Sequence, residues 1–386
     1  MHYSIQSLVF LTNQVNHHQI HVADEFYKEF GDNYKYIATE PVNTDFVASG
    51  YPELDRPYII RTYKQEFDTL TIQMMINDAD IVIIGAAPDS YVSERLNNNK
   101  ITFHYSERWF KCISYHLLSP RLWIHIYKNH FKYRNKQSYM LCASAFTAKD
   151  VNNVLCYKNK CFKWGYFTKV EEIDIDSIIQ AKDQNVIRIM WCARFLKLKH
   201  PELPIKLAEI LKKKSYNVQI DMFGNGPELE RTKLLAAQKD VTDIVNFMGN
   251  MPNEELLKTY RRYHIFIFTS DRNEGWGAVL NEAMSNGCAV VASDEIGSAP
   301  FLIRDGVNGF LFKSKSIKSL AEKVEKLLLN PQLITATSRN AYLTMSKIWS
   351  PQNAARNFIK LIDAIKNDSL ERFTQTITDG PCSRTE

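Results

Sequence analysis

Two short apolar runs, Ile265-Phe266-Ile267-Phe268 and Ala289-Val290-Val291-Ala292, constrain this chain most, because of what lies between them. The first is of strand length and ends in a polar loop, residues 269–273. Glu274 and a glycine-bearing turn, Gly275-Trp276-Gly277, come next, and a helix-patterned stretch runs from about Ala278 to Asn286 before Gly287 stops it. A strand, a glycine-rich turn and a helix start together make an anion site: the first helical amides lack partners within the helix, and the dipole adds partial positive charge. Gly275 and Gly277 allow the backbone to approach a phosphate closely.

The same alternation fills the rest of the chain. Leu8-Val9-Phe10-Leu11 reads as a buried strand, followed by the loop 12–19 and a helix through Phe26 and Tyr27. Strands are expected at 34–39, 57–62, 81–85 and 101–104, with helices at 67–76 and 90–97. Further on, strands at 188–192, 218–223 and 245–249 alternate with helices at 201–214 and 253–260, and helices follow at 316–329 and 351–366. Strands alternating with helices indicate parallel sheet built from βαβ units. At 386 residues the chain accommodates two domains of ordinary size. We place the first at 1–167 and the second at 168–350, with the acidic segment 171–176 as the crossing. Residues 351–368 read as a terminal helix packing back on the first domain, and 369–386 as a tail.

Two carboxylates distinguish the central stretch from other phosphate loops. Glu274 precedes the helix and Glu282 lies eight residues on, inside it. A carboxylate beside a phosphate site repels the phosphate, so Glu274 is better suited to a neutral, hydroxyl-rich group such as a sugar; the alternative is a residue that favours the helix start electrostatically. Glu-x7-Glu followed by AMSNGCAVVAS resembles the signature of family 4 glycosyltransferases, retaining enzymes of GT-B fold. That resemblance implies an α/β chain of two Rossmann-like domains facing each other across a cleft. It implies that Glu274 faces the donor sugar, that Glu282 holds the nucleotide ribose, and that amides near Gly275, Trp276, Gly277 and Ala278 assist. Arg194 and Lys199 fall where the family's Arg and Lys meet the donor pyrophosphate, a role their chemistry suits. His200 stands where the family often has glycine. Gly224-x-Gly226-Pro227 matches the turn after the family's second strand, and the segment containing Met248 and Gly249 matches the one that lines the base pocket.

The first half is less similar. Where the family usually has a glycine pair after its first strand, this chain reads Asn16-His17-His18-Gln19. His17 or His18 is expected to replace those amides as a donor to phosphate, or to orient an acceptor. His104 ends a strand at a place resembling the family's acceptor-side histidine, and Glu107 and Arg108 follow in the same loop. The resemblance implies a nucleotide diphosphate sugar as co-substrate, no other cofactor and no metal, because cationic side chains offset the leaving charge. Asp78-Ala79-Asp80 and Asp174-Ile175-Asp176 spell D-x-D, but the first reads as a turn before a strand and the second as linker.

Composition restricts the partners. A hydrophobic fraction of 45% with 24% charged residues is that of a globular chain, and a net charge of +5 does not by itself point to nucleic acid. Seven cysteines without C-x-x-C pairs suit buried thiols in a reducing compartment. Together with the lack of a signal-like or membrane-spanning run, this suggests a cytoplasmic enzyme. From Arg108 to Lys149 there is no carboxylate, while Arg121, Lys128, Lys132, Arg134 and Lys136 interleave with Trp109, Phe110, Trp123, Tyr127, Phe131 and Tyr133. Such a surface suits an anionic membrane face, and a peripheral membrane contact is expected there. The expected function is transfer of a sugar to a saccharide or lipid-linked saccharide hydroxyl, in cell-surface polysaccharide synthesis. A GT-B nucleotide-sugar epimerase and a non-catalytic nucleotide-sugar-binding protein are the alternatives.

Overall fold

The computed structural model describes residues 5–42, 53–64, 68–111, 119–183 and 185–386. They form two compact units, Met1–Lys169 with Ile348–Glu386, and Val170–Lys347. Among the described residues the first unit holds a seven-stranded sheet: β1 (Leu8–Thr12), β2 (Tyr34–Ala38), β3 (Ile59–Arg61), β4 (Ile81–Ile84), β5 (Thr102–Ser106), β6 (Ser138–Cys142) and β7 (Cys161–Lys163). All of its strand pairs are parallel, in the order β3-β2-β1-β4-β5-β6-β7. The second unit holds a six-stranded sheet of β8 (Ile187–Cys192), β9 (Val218–Phe223), β10 (Val245–Gly249), β11 (Ile265–Phe268), β12 (Ala289–Ser293) and β13 (Phe310–Phe312). Its order is β10-β9-β8-β11-β12-β13, again parallel. Both are Rossmann-like. In each, the strand order reverses beside the first strand, and the crevice outside the carboxyl ends of the strands at that reversal is where such sheets bind ligands.

The central strands are apolar and buried because helices cover both faces. In the second unit Ile189, Trp191, Ile220, Met222, Ile265, Ile267 and Val291 pack with Leu203, Leu207, Leu211, Leu320, Val324 and Leu327. In the first, Val9, Leu11, Ile37, Val82 and Ile84 pack with Ile72 and Ile76 of the helix Thr69–Asp78. Arg95 is fully buried there because its guanidinium donates to the carbonyls of Ile76, Ala79 and Ile101 at 2.6–2.9 Å, closing the end of that helix. The helix Pro351–Lys366 starts on Ser350, whose side chain accepts from the Asn353 amide, with proline in its first turn. Its Phe358 packs against Phe26, Phe103 and Trp164 at ring separations of 5.0–5.6 Å, all in the first unit.

The structure departs from the sequence reading in several places, including strand β13 and the helices Pro120–Asn129 and Thr147–Asn153, for which no element is expected from the sequence. Strands β6 and β7 were not foreseen; β7 is three residues long and gives little pattern to read. Strand β5 runs two residues past His104, which therefore sits within the strand and not at its end. The helix Pro331–Leu343 follows directly on the expected helix end at Asn330, which instead caps the new helix by accepting from Leu333 N at 3.2 Å. Residues 369–386 are not a loose tail. They include the helix Leu370–Thr376, Arg384 forms an antiparallel bridge with Phe162, and Cys382 and Ser383 are fully buried. Phe67, expected in a helix, and residues 112–118 of the carboxylate-free stretch lie outside the described residues.

Candidate functional site

The second-unit site begins where β8 and β11 end. The chain leaves β8 through Ala193-Arg194-Phe195 and bends over the turn Gly224-Asn225-Gly226 that follows β9. Phe195 N donates to Asn225 O at 2.8 Å, and Gly224 N donates to Gly249 O at 2.8 Å. Gly224 has φ +120°, and a Cβ there would stand 2.0 Å from Ala193 O, so glycine is required by both conformation and contact. Arg194 emerges exposed from this junction. Lys199 follows in a short 3-10 turn, Lys197–Lys199.

The loop after β11 meets it. Asp271 N donates to Leu198 O at 2.9 Å and Glu274 N to Asp271 O at 2.9 Å, which ties the two loops by backbone. Lys199 and Glu274, 75 residues apart in sequence, form an ion pair with both side chains largely buried. The Lys199 ammonium also lies 5.5 Å from the centroid of the Phe268 ring. Gly277 has φ +84°, and a Cβ on it would come within 2.5 Å of that ring, so the turn brings Glu274 close only because residue 277 has no side chain. His200 adopts a left-handed conformation, φ 49° and ψ 56°, which explains why glycine would be at ease there. Its ring meets Glu202 at 2.9 Å and Asp271 at 3.3 Å; the Glu202 hydrogen bond raises its pKa against burial, and Asp271 adds to the rise. Asp271 also pairs with Lys315 at 3.1 Å. It organises the loop, and the sequence does not mark it because His200 and Lys315, which brace its carboxylate, lie far from it in the chain.

Behind this loop the helix Val279–Ser285 carries Glu282, which is buried with Tyr260 OH 3.5 Å away. Burial pushes its pKa up to about 7. Trp276 is buried too, its indole N–H donating to Asn281 Oδ1 at 2.8 Å, so it supports the turn from behind. Met248 is exposed and Gly249 has φ +70° with open space around it. Arg194 and Lys199 thus lie in the loop after β8, Gly224 in the turn after β9, and Glu274 and Gly277 in the loop after β11, with the Lys199–Glu274 pair joining the loops at the strand-order reversal between β8 and β11.

The other residues singled out lie in the first unit, around a pocket of about 880 Å³ at the carboxyl ends of β1, β4 and β5. His17, His18, His104 and Glu107 all line it, with Asp89, Trp109, His125, His130 and Tyr166. His18 stacks on Tyr166 at 5.1 Å, and burial, with repulsion from His17 and His21, lowers its pKa to about 4. Burial likewise lowers His104 to about 4. Near neutral pH both are therefore uncharged, able to exchange hydrogen bonds but weak as bases. Glu107 accepts from Tyr166 OH at 2.8 Å and pairs with Lys111 at 2.7 Å. Arg108 turns away, 3.5 Å from Asp150 and over the Phe146 ring. The D-x-D segments have structural work: Asp80 accepts from Gln6 N at 2.6 Å, and Asp174 caps the helix Ile175–Gln180.

In the carboxylate-free stretch, the helix Pro120–Asn129 exposes Trp123, Ile124 and Tyr127. Arg134 lies 4.0 Å from the Phe131 ring centroid. No helix among the described residues is long and apolar enough to cross a membrane. The described cysteines are buried free thiols.

Comparison with known proteins adds to this geometry. The chain is 28% identical over 200 residues to an uncharacterized glycosyltransferase of Methanocaldococcus jannaschii, covering 52% of this chain and 50% of that one. It is 25% identical over 180 residues to a poly(glycerol-phosphate) alpha-glucosyltransferase of Bacillus subtilis, covering 47% and 26%. It thus spans half or less of the length of these relatives. Anabaena HepE, solved in complex with UDP, superposes with a TM-score of 0.65 at 13% identity, over 95% of this chain and 100% of that one. This likeness shows the GT-B fold class, two Rossmann-like domains in one chain. Residues 172–344, which hold every second-unit side chain named above, match the model of the family described as Glycosyl transferases group 1.

Proposed function

We propose that the chain is a retaining glycosyltransferase of the family 4 type, moving a hexosyl group from a nucleotide diphosphate sugar to a hydroxyl of a saccharide or lipid-linked saccharide in cell-surface polysaccharide synthesis. The observation that carries this reading is the Lys199–Glu274 pair beside the exposed Arg194, at the strand-order reversal of the second sheet. Arg194 and Lys199 offset charge as the pyrophosphate leaves, the electrostatic work that dominates such reactions. Glu274 positions the donor sugar and Glu282 accepts from the ribose. The turn at Gly224 and the segment at Met248 and Gly249 border the base. In the first unit, the uncharged His104 and His18, together with His17, orient the acceptor through hydrogen bonds, and the acceptor attacks on the face the leaving group departs from, without a side-chain nucleophile. The donor half requires no metal, since its cations are side chains.

Charge-assisted phosphate contacts contribute roughly 1.5–3 kcal/mol each. Arg194→Ala should therefore weaken binding of a nucleotide diphosphate about tenfold or more by calorimetry. The wild-type affinity should be unchanged by EDTA. Equal affinity of variant and wild type would place the phosphates elsewhere. Running the titration with UDP, GDP and ADP identifies the base, and product analysis with and without acceptor separates transfer from epimerisation.

The exposed Trp123, Ile124 and Tyr127, together with the surrounding cations, support contact of the first unit with an anionic membrane face. Each cation held near such a surface contributes about 1 kcal/mol, screened by salt. Co-sedimentation with anionic liposomes should weaken steeply as salt rises, and replacing Lys128, Lys132, Arg134 and Lys136 by glutamine should abolish it. Equal binding to neutral liposomes would count against the idea.

A further inference from the structure

The first-unit pocket contains a cluster that the acceptor role of His104 does not account for. Asp89 begins the 3-10 turn Asp89–Val92 after β4, His104 lies in β5, and His130 closes the helix Pro120–Asn129 that carries His125. One ligand atom from each of Asp89, His104 and His130 lies within 4.8 Å of the other two. We propose that Asp89, His104 and His130 form a binding site for a divalent transition-metal ion of the zinc type, with His125 as an additional ligand. The site stands on its own geometry, whether or not the chain transfers sugar.

The distances within the cluster suit neither hydrogen bonding nor separation. His104 Nδ1 is 3.9 Å from Asp89 Oδ1, and His125 Nε2 is 3.5 Å from Asp89 Oδ2. Both are too long for good hydrogen bonds. Among the described residues, only histidines stand within ion-pair distance of the Asp89 carboxylate. His104 is 4% exposed, and its Nε2 is buried without a hydrogen-bond partner among the described residues. Leaving such an atom unsatisfied costs about 1–3 kcal/mol, and a cation bound at Nε2 would remove that cost. Zinc takes imidazole nitrogen and carboxylate oxygen at about 2.0–2.2 Å, so the cluster would close by on the order of 1 Å around the ion.

The surroundings are those of ligating histidines. His130 Nδ1 is 2.7 Å from Tyr157 OH; in the tautomer that donates to the phenol, Nε2 is left as the metal-binding nitrogen. The Trp109 ring packs 4.7 Å from the His130 ring and the His104 ring lies 4.9 Å from it, which fixes its plane. Three side chains from separate elements, one of them oriented by an outer hydrogen bond, match a four-coordinate zinc centre once His125 supplies the fourth position. The ligand set has nitrogen and oxygen but no thiolate, which suits zinc, cobalt or nickel over copper(I).

The experiment uses the full chain, stripped with chelator and titrated with Co2+ and, separately, Zn2+. Cobalt should produce the visible d–d bands of a low-coordinate nitrogen–oxygen site, and zinc should displace it. Asp89→Asn and His130→Gln should each weaken metal binding about 100-fold or more, and Tyr157→Phe, which touches no metal, about 10- to 100-fold. Circular dichroism and nucleotide binding by the second unit check that each variant is folded. Should Asp89→Asn or His130→Gln fail to fold, His125→Ala, at a half-exposed position, and Tyr157→Phe still decide the matter by weakening the metal. Absence of cobalt bands at stoichiometric metal, or wild-type affinity in the folded variants, overturns the site. The second result would assign the ion to other histidines such as His17, His18 and His21.

Discussion

Replacing Glu274 by glutamine is expected to cut turnover roughly 100- to 1000-fold while leaving nucleotide affinity within a few-fold of wild type, the loss typical when one positioned electrostatic group is removed. The direction follows from the pair with Lys199. In Glu274→Gln the ammonium keeps an oxygen to donate to but loses its counter-charge, so its attraction for a diphosphate is preserved or increased. What disappears is the carboxylate that would hold the sugar as positive charge develops on it. The backbone of residue 274 is fixed through Asp271 O and beyond it Leu198 O, so the variant should keep its shape. Lys199→Ala is the opposite case: it strands a largely buried carboxylate and removes a phosphate contact, so affinity should fall as well as rate. The two variants, compared by initial rates and by nucleotide titration, separate the roles. Turnover within about threefold of wild type in Glu274→Gln, well short of what such a group normally supplies, would reduce Glu274 to a counter-ion for Lys199.

Gly224→Ala should be among the most damaging single-atom changes in the second unit. The new methyl would lie 2.0 Å from Ala193 O, a backbone atom that cannot rotate away, and φ +120° is unfavourable for any L side chain. Strain and overpacking of about 1–3 kcal/mol each predict a loss of roughly 2–6 kcal/mol in total. For a unit of this size that lowers its melting temperature by about 4–24 °C. Gly249→Ala is the control: φ is +70° but the space is open, so only the left-handed cost of about 1–2 kcal/mol applies. Equal melting temperatures for the two variants would show that Ala193 yields easily. Because the carbonyl involved precedes Arg194, Gly224→Ala should also weaken nucleotide binding in whatever protein remains folded.

Sequence pattern conveyed the second sheet well because its strands are apolar runs set off by glycine turns, and the loop after β11 advertised its own chemistry. It conveyed neither the Lys199–Glu274 pairing nor the bracing of Asp271 by His200 and Lys315, since those partners meet only through the order of strands. The helix Pro331–Leu343 escaped notice because its inward face includes Thr337, Ser338 and Ala341, small residues that leave hardly any apolar stripe. Strand β6 was lost in a basic, aromatic stretch whose composition suggested surface. The Asp89, His104 and His130 cluster has no readable spacing, because its members come from a turn, a strand and a helix end. Resemblance narrowed the roles of Arg194, Lys199, Glu274 and Glu282, where periodicity alone left a helix-end glutamate as a fair alternative.

The packing of Phe358 on Phe26, Phe103 and Trp164 has a consequence for how this protein is made. The first unit is assembled from two stretches of chain with the whole of the second unit between them. During synthesis, the sheet that starts at Leu8 emerges early, yet the helix that seals one of its aromatic faces is translated some 180 residues after Lys169, at a rate of about 5–20 residues per second. For that interval Phe26, Phe103 and Trp164 wait uncovered while Val170–Lys347, continuous in sequence, can complete its own core. The order of folding is then the reverse of the order of translation, and the nascent chain is most exposed to chaperones and to aggregation through the half that was made first.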